Sequence, residues 1–130
     1  MRNGLKELKL STFTNCVFLE SVSLPNSLET IGNGAFSGCT ALTSISIPNS
    51  VTELGSGVFI GCSSLREIYI PGGIAALDSM TFDGCISLRT IRFGGTMEQW
   101  RALLAQGYNS IDTTYITVHC VDGTILAGNA

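Results

Sequence analysis

The chain has 130 residues, enough for one domain with its own core. Charged residues make up only 13% of it, well below the usual share of about a quarter, and the formal net charge is −3. This acidic balance excludes a nucleic-acid binder that works through a basic surface. No apolar run exceeds four residues, which excludes a transmembrane helix and the core of a signal peptide, so we expect no membrane insertion.

Three residue types recur at one interval of 23 residues. Cysteine stands at positions 16, 39, 62 and 85, proline at 25, 48 and 71, and phenylalanine at 13, 36, 59 and 82. One interval shared by three residue types predicts a tandem array of structural repeats. Because a single unit of this length cannot bury its apolar side, the units must stack to share one core.

Each unit contains a short alternating segment and a tight turn. Apolar and polar residues alternate in Val22–Leu24, Ile45–Ile47, Ile68–Ile70 and Ile91–Phe93, which predicts a short strand in every unit. A proline follows the first three segments and ends the strand, because it donates no hydrogen bond to the ladder. Glycine or asparagine precedes each repeated cysteine, and these residues accept the left-handed backbone of a tight turn.

These motifs resemble the BspA-type leucine-rich repeat, also called the Treponema pallidum-type repeat. Residues 35–42 (AFSGCTAL) match the family's AF-x-GC-x-x-L core, and residues 47–55 (IPNSVTELG) match its I-P-x-S-V-T-x-I-G stretch. The resemblance implies a right-handed, mostly β leucine-rich-repeat solenoid, with short parallel strands on a concave face and tight turns between them. It also implies a surface or secreted protein that binds other macromolecules rather than an enzyme.

The period ends near residue 93, and the remaining segment has a different pattern. Thr96 and Gln99 form the ends of a capping box, and apolar residues at helical spacing follow up to Gly107, a natural helix stop. Alternation resumes at Tyr115, and Asp122-Gly123 predicts a hairpin turn. We therefore assign residues 1–93 to about four and a half repeats, and residues 94–130 to a C-terminal cap with a helix and a β-hairpin.

The cysteines and the single histidine give weak support for chemistry. Cysteines in register on parallel units point the same way, which suits a column of buried thiols better than a disulfide, and they lack the paired spacing of a zinc site. His119 is the only histidine and is predicted on the outer side of a cap strand. The single histidine lies in the cap, so a pair of nucleophile and base is weakly supported. We expect no catalytic residues, no metal and no cofactor.

The outward strand positions change character along the array. The first two units present mainly serine and threonine, whereas the last two present charged and aromatic residues: Arg66, Glu67, Tyr69, Arg89 and Arg92. Arginine and tyrosine are frequent interface anchors, so these five residues form our candidate binding face for an acidic partner. The alternative is a solvated face on which Glu67 pairs with an arginine.

Two functions fit these observations. The first is a non-enzymatic interaction module that binds a protein or a glycan. The second is a structural role, in which the chain is the capped end of a longer surface array. An extracellular or cell-surface location follows from the resemblance alone, and a cytoplasmic one stays open. The chain begins within a repeat, so we expect the rib of Leu5 and Leu8 to be partly uncovered, with self-association through that end or fraying of residues 1–12.

Overall fold

The computed structural model describes residues 4–106 and 112–128, which form a solenoid of stacked 23-residue turns. Its elements are, in chain order, β1 (Glu7–Leu8), β2 (Thr30–Ile31), β3 (Ser44–Ser46), β4 (Glu53–Leu54), β5 (Glu67–Ile70), β6 (Thr90–Phe93), α1 (Met97–Leu104), β7 (Thr117–Cys120) and β8 (Gly123–Ile125). The short parallel strands and the short helix confirm the predicted leucine-rich-repeat architecture.

Two sheets run along the solenoid. The smaller one has the order β1-β2-β4, and the larger one has the order β3-β5-β6-β7-β8. All neighbouring strands are parallel except β7 and β8, which form an antiparallel hairpin. Ile45, Ile68 and Ile91 lie side by side, so strand partners within the repeats are 23 residues apart, as the sequence period predicts.

The interior consists of columns contributed by equivalent residues of successive turns. The rings of Phe13, Phe36, Phe59 and Phe82 stack with centroid separations of 5.3, 5.6 and 6.0 Å. Beside them, the thiols of Cys39, Cys62 and Cys85 each donate a hydrogen bond of 3.1 Å to a phenylalanine carbonyl of the preceding turn. Rings and thiols thus tie each turn to its neighbour.

The predicted tight turns are present before the repeated cysteines. Asn15, Gly38, Gly61 and Gly84 have φ values of 59°, 75°, 74° and 77°, in the left-handed region. Glycine and asparagine adopt this conformation at the least cost, which explains their place in the repeat.

The cap follows the predicted order of helix and hairpin. Thr96 accepts a hydrogen bond from the Gln99 backbone, and the Gln99 side chain bonds back to Thr96, so the capping box is confirmed. Trp100 is fully buried and packs against Phe93 with ring centroids 5.2 Å apart. The helix ends at Leu104, and the stop predicted at Gly107 lies outside the described residues.

Two strand predictions need correction. The hairpin turn consists of Val121 and Asp122, because Gly123 already pairs with Cys120 in β8. The Asp122 carboxylate instead accepts a 2.9 Å hydrogen bond from the Met97 backbone at the start of α1. The predicted strand at residues 22–24 is not formed; the nearest ladder bond, from Thr43 to the Glu20 carbonyl, is long at 3.4 Å.

The first rib is better covered than expected. Leu8 is only 2% exposed, because β1 pairs with β2 and places this side chain in the shared core. Leu5 remains 36% exposed, and Phe18 is the most exposed large apolar side chain of the described residues, at 92%. The expectation of an uncovered rib is therefore wrong for Leu8 and holds in part for Leu5.

Candidate functional site

The candidate site lies on the outward face of the larger sheet, which we call the strand face. Burial alternates along β5 and β6, so that every second residue points away from the core. The strand face consists of the outward residues of β3, β5, β6 and β7: Ser44, Ser46, Glu67, Tyr69, Thr90, Arg92, Thr117 and His119.

The register brings the larger side chains of this face together. Ser46, Tyr69, Arg92 and His119 occupy one row across the four strands. Neighbouring strands are about 4.8 Å apart, so Arg92 lies directly between Tyr69 and His119. Tyr69 and Arg92 are register partners, so their side chains are neighbours on this face.

Arg92 is neutralised within the face. Its Nε donates a hydrogen bond to Oε1 of Glu67, and the two side chains are 56% and 43% exposed. This ion pair is the one that the alternative of a solvated face anticipates. An ion pair with this exposure contributes about 0–1 kcal/mol to stability, so its main effect is to hold the guanidinium in place.

Tyr69 is held by a hydrogen bond and by close packing. Its hydroxyl donates a 2.8 Å hydrogen bond to Oδ1 of Asn49, which lies in the turn after β3. The hydroxyl also lies so close to Gly94 that a Cβ atom at this position would collide with it. Gly94 stands where the earlier units have proline. Sequence reasoning missed Asn49, because the position of a residue in a turn does not show which side chain it contacts.

Arg89 does not belong to the strand face. Its Nη1 donates to the carbonyls of Ile86 and Leu88 at 3.1 and 3.0 Å, and its guanidinium carbon lies 5.7 Å from the centre of the Tyr115 ring. These contacts place Arg89 at the corner before β6, on the side of the cysteine turns. The sequence could not show this, because Tyr115 lies beyond the end of the period.

Arg66 occupies the equivalent corner before β5 and is exposed. Its carbonyl accepts a 3.1 Å hydrogen bond from the Arg89 backbone, so the two residues are neighbours in successive turns. Among the described residues, no carboxylate lies within ion-pairing distance of the Arg66 side chain. The five predicted residues therefore divide into a strand-face group of Glu67, Tyr69 and Arg92, and a corner pair of Arg66 and Arg89.

His119 extends the strand face into the cap. Its Nδ1 lies 3.3 Å from the hydroxyl oxygen of Thr124 across the hairpin. The histidine is partly buried and points away from the core, as its predicted position on the outer side of a cap strand requires. The row of side chains on this face thus ends in a polar residue that the cap contributes.

Two of the repeated thiols, Cys39 and Cys62, are held in the protonated form. Burial and the neighbouring thiols raise the pKa of Cys39 from 9.0 to about 11. The contact with Cys85 and burial raise the pKa of Cys62 as well, and the same contact lowers the pKa of Cys85. All five cysteines are unbridged, Cys39 and Cys62 are buried, and Cys16, Cys85 and Cys120 are partly buried. Thiolate, the reactive form of cysteine, is thus disfavoured at Cys39 and Cys62.

The described part of the chain contains neither a metal-binding cluster nor a membrane-spanning helix. Within residues 4–106 and 112–128, no three His, Cys, Asp or Glu side chains converge on a point where a metal ion would fit. The one helix of that part, α1, has eight residues, and no helix there is long and apolar enough to cross a membrane.

Comparison with known proteins identifies the repeat. Residues 1–119 match the family model described as "BspA type Leucine rich repeat region (6 copies)". No curated protein matches the chain significantly. The family model covers the repeats together with most of the cap.

Solved structures with the same architecture come from three bacteria. A leucine-rich cell surface protein of Faecalibacterium prausnitzii is 27% identical over 78% of this chain, with a TM-score of 0.70. The T. pallidum leucine-rich repeat protein is 31% identical over 83%, and a leucine-rich repeat protein of Bacteroides ovatus is 30% identical over 91%, each with a TM-score of 0.68. The chain spans only 29%, 58% and 30% of these proteins, respectively. It belongs to the BspA-type leucine-rich repeat family.

Proposed function

We propose that this chain is a non-enzymatic interaction module that binds a protein partner through the strand face. The observation that carries the proposal is the pairing of Tyr69 with Arg92 in neighbouring strands, each held by a further side chain. Side chains that are fixed before binding lose less conformational entropy when a partner docks. Tyrosine and arginine are also the residues most often found at the energetic centre of protein interfaces.

The charges of this region favour an acidic partner. Arg92 is balanced by Glu67, whereas Arg66 is exposed and has no carboxylate partner among the described residues. The corner of β5 therefore carries a local positive charge on a chain whose net charge is −3. A partner carboxylate near Arg66 would supply the missing counter-charge, and an aromatic or aliphatic side chain would pack against Tyr69. A glycan with a carboxylate group is the corresponding alternative.

A cell-surface location is part of the proposal. The F. prausnitzii structure is described as a leucine-rich cell surface protein. The region of that protein that matches this chain covers 29% of its length. A surface protein of this type meets partners outside the cell, where a rigid binding face is useful. The family as a whole supplies binding and repeat modules, and the surface location of this chain is inferred from that likeness.

The structural role as the end of a repeat array has its own supporting observation. In the cap, β7 pairs with β6 and β8 then pairs with β7, so the last strand of the repeats is covered. Covered sheet edges resist edge-to-edge aggregation. Closure and binding are compatible, because the cap contributes His119 to the strand face.

A binding screen with matched variants tests the proposal. The chain is screened against an array of acidic peptides and an array of acidic glycans, and the affinity of every hit is then measured for Tyr69→Ala, Arg92→Ala and Arg66→Ala. We expect each variant to weaken binding by about tenfold, as for interface anchors. Ser23→Ala and Thr43→Ala are the controls, since they change the positions equivalent to Tyr69 and Arg66 in earlier units, outside the strand face.

The two sets of variants separate the possible outcomes. Binding lost in the three variants and kept in the controls supports a site formed by the strand face and the adjacent corner of Arg66. Hits that bind all five variants equally would place the site elsewhere and overturn the proposal. Glycan hits without peptide hits would replace the protein partner by a carboxylate-bearing glycan on the same face.

A further inference from the structure

The turns before the cysteines are joined by their own set of backbone hydrogen bonds, which we call the turn ladder. In each turn, two backbone amides donate hydrogen bonds to carbonyls of the next turn. The first is the amide of the repeated phenylalanine, and the second is the amide of the residue two positions later, which has a left-handed backbone. Phe36 and Gly38 donate to Val58 and Ile60 at 3.0 and 2.7 Å. The same two bonds join the first turn to the second, at 2.7 and 2.7 Å, and the third to the fourth, at 3.2 and 2.7 Å.

The ladder stops at the fourth turn. Its donors are the amides of Phe82 and Gly84, and among residues 4–106 and 112–128 neither amide has a hydrogen-bond acceptor. Nearby, the Met80 amide is satisfied by Oδ1 of Asp78 at 3.0 Å. Unpaired backbone amides at the end of a regular ladder can pair with the carbonyls of another segment.

A groove lies beside these two amides. Its volume is about 420 Å³, within the range of small-ligand and peptide sites. Phe82 and Cys85 line it together with Arg89, and the 73% exposed Ile86 and the 69% exposed Tyr115 form part of its wall. The hairpin extends the larger sheet beyond β6, and Gln106 after α1 donates a hydrogen bond to the Ala75 carbonyl. In the described part of the chain, the side of the last turn that carries Phe82 stays open.

The charges of the groove are unbalanced. Asp83, Asp112 and Arg89 line the groove. The Arg89 guanidinium donates hydrogen bonds to two backbone carbonyls and lies over the Tyr115 ring. Hydrogen bonds from the Thr114 hydroxyl and backbone lower the pKa of Asp112, so this carboxylate is ionised at neutral pH. Two carboxylates against one guanidinium leave a formal charge of −1, which favours a basic ligand.

We propose that this groove binds a basic peptide in a turn conformation. The peptide adds a fifth segment, or rung, to the turn ladder through the amides of Phe82 and Gly84, which have no acceptor among the described residues. The carbonyls of two alternate peptide residues accept from these amides, as those of Thr81 and Asp83 do for the third turn. An aromatic side chain between them stacks on Phe82 and continues the phenylalanine column. The site is separate from the strand face, so it adds a second partner to the proposed function.

Amide hydrogen exchange in the free chain is the first test, and it needs no ligand. Measured by NMR, the amides of Phe82 and Gly84 should exchange at least tenfold faster than those of Phe59 and Gly61, the equivalent residues one turn earlier. Equal protection at both turns would show that another part of the chain already occupies the rung, and it would overturn the proposal.

The second test uses a synthetic peptide that copies a turn of the chain itself. The acetylated and amidated peptide Lys-Ala-Phe-Ser-Gly-Lys carries the rung sequence of residues 35–38 between two lysines. Titration should shift the amide resonances of Phe82 and Gly84 and slow their exchange. The same peptide with alanine for phenylalanine should bind about tenfold more weakly, since it lacks the stacking ring.

Matched variants locate the binding. Ile86→Ser removes an exposed wall of the groove and should weaken binding of the peptide several-fold. Val17→Ser changes the equivalent exposed position of the first unit and should leave binding unchanged. Peptide-induced shifts at Tyr69 and Arg92 instead of Phe82 and Gly84 would assign the peptide to the strand face, and no shifts at millimolar peptide would also refute the fifth rung.

Discussion

The Arg92 guanidinium bonds to Glu67 along a diagonal of the sheet. The register partner of Glu67 is Thr90, and that of Arg92 is Tyr69, so the ion pair joins residues offset by two positions on neighbouring strands. Diagonal neighbours are within reach of long side chains on one face of a sheet. The pair leaves Tyr69 free to bond to Asn49, so both anchors of the strand face have a fixed position without competing for one partner.

A double-mutant cycle should detect this pair as a small coupling. Glu67→Gln, Arg92→Gln and the double variant are compared by urea denaturation, and we expect a coupling free energy of about 0.2–1 kcal/mol. Because both side chains are about half exposed, the coupling should shrink in 1 M salt. A coupling of zero at low salt would show that the pair is not maintained in solution.

The phenylalanine column should carry much more stability than the exposed aromatic residue of the first unit. Phe59 is fully buried between Phe36 and Phe82, so Phe59→Ala should lower the free energy of unfolding by about 3–5 kcal/mol. Phe18→Ala makes the same chemical change at a 92% exposed position and should cost less than about 0.5 kcal/mol. Similar losses in the two variants would contradict the stacked column.

The period of 23 residues determined most of what could be predicted. It assigns each residue to a column, so the stacked phenylalanines, the thiol column and the neighbours Tyr69 and Arg92 follow from position alone. The direction of Arg89 does not follow, because a long side chain selects its contacts and the aromatic contact, Tyr115, lies in the aperiodic cap.

The hairpin shows the same limit. An Asp-Gly pair predicts a turn at Asp122 and Gly123 from local conformation alone. In the structure, Asp122 also accepts a hydrogen bond from the Met97 amide at the start of α1, and the turn lies one residue earlier, at Val121 and Asp122. The groove beside Phe82 was missed for a related reason. The point at which the turn ladder ends depends on where the cap lies, and this position cannot be predicted from the types of the residues.

Gly94 should be required for the position of Tyr69. A side chain at residue 94 would collide with the Tyr69 hydroxyl and would come within 3.0 Å of the Gly72 amide nitrogen. Gly94→Ala should therefore displace the tyrosine from Asn49 and lower the free energy of unfolding by about 1–3 kcal/mol, as overpacking does. Thermal and urea denaturation measure the loss.

The tyrosine itself provides the control for this effect. In a Tyr69→Ala background, the obstructing hydroxyl is absent, so Gly94→Ala should cost clearly less than it does in the native chain. An equal cost in both backgrounds would assign the strain to the Gly72 backbone alone and would remove Gly94 from the support of the strand face.

The thiol column should make the stability of the chain fall at alkaline pH. The Cys39 thiol has a pKa of about 11 when folded, against 9.0 for an unperturbed thiol. Between these values the unfolded chain loses the proton while the folded chain keeps it, so unfolding is favoured increasingly as the pH rises. The contribution is fully present below pH 9 and decreases by about 2 kcal/mol toward pH 11.

Comparison with Cys39→Ala isolates this contribution from other groups that titrate in the same range. The free energy of unfolding is measured by urea at pH 7.5, 9 and 10.5, under reducing conditions, for both chains. Alanine lacks the thiol, so the difference in stability between native chain and variant should shrink as the pH rises.

Labelling of the thiols is a second measurement. In the native chain, Cys39 and Cys62 are buried and should react slowly with a thiol reagent, whereas all five cysteines should react after unfolding. A difference in stability that is constant across this range, together with rapid labelling of Cys39, would mean that the column is open to solvent and that its thiols do not hold the turns together.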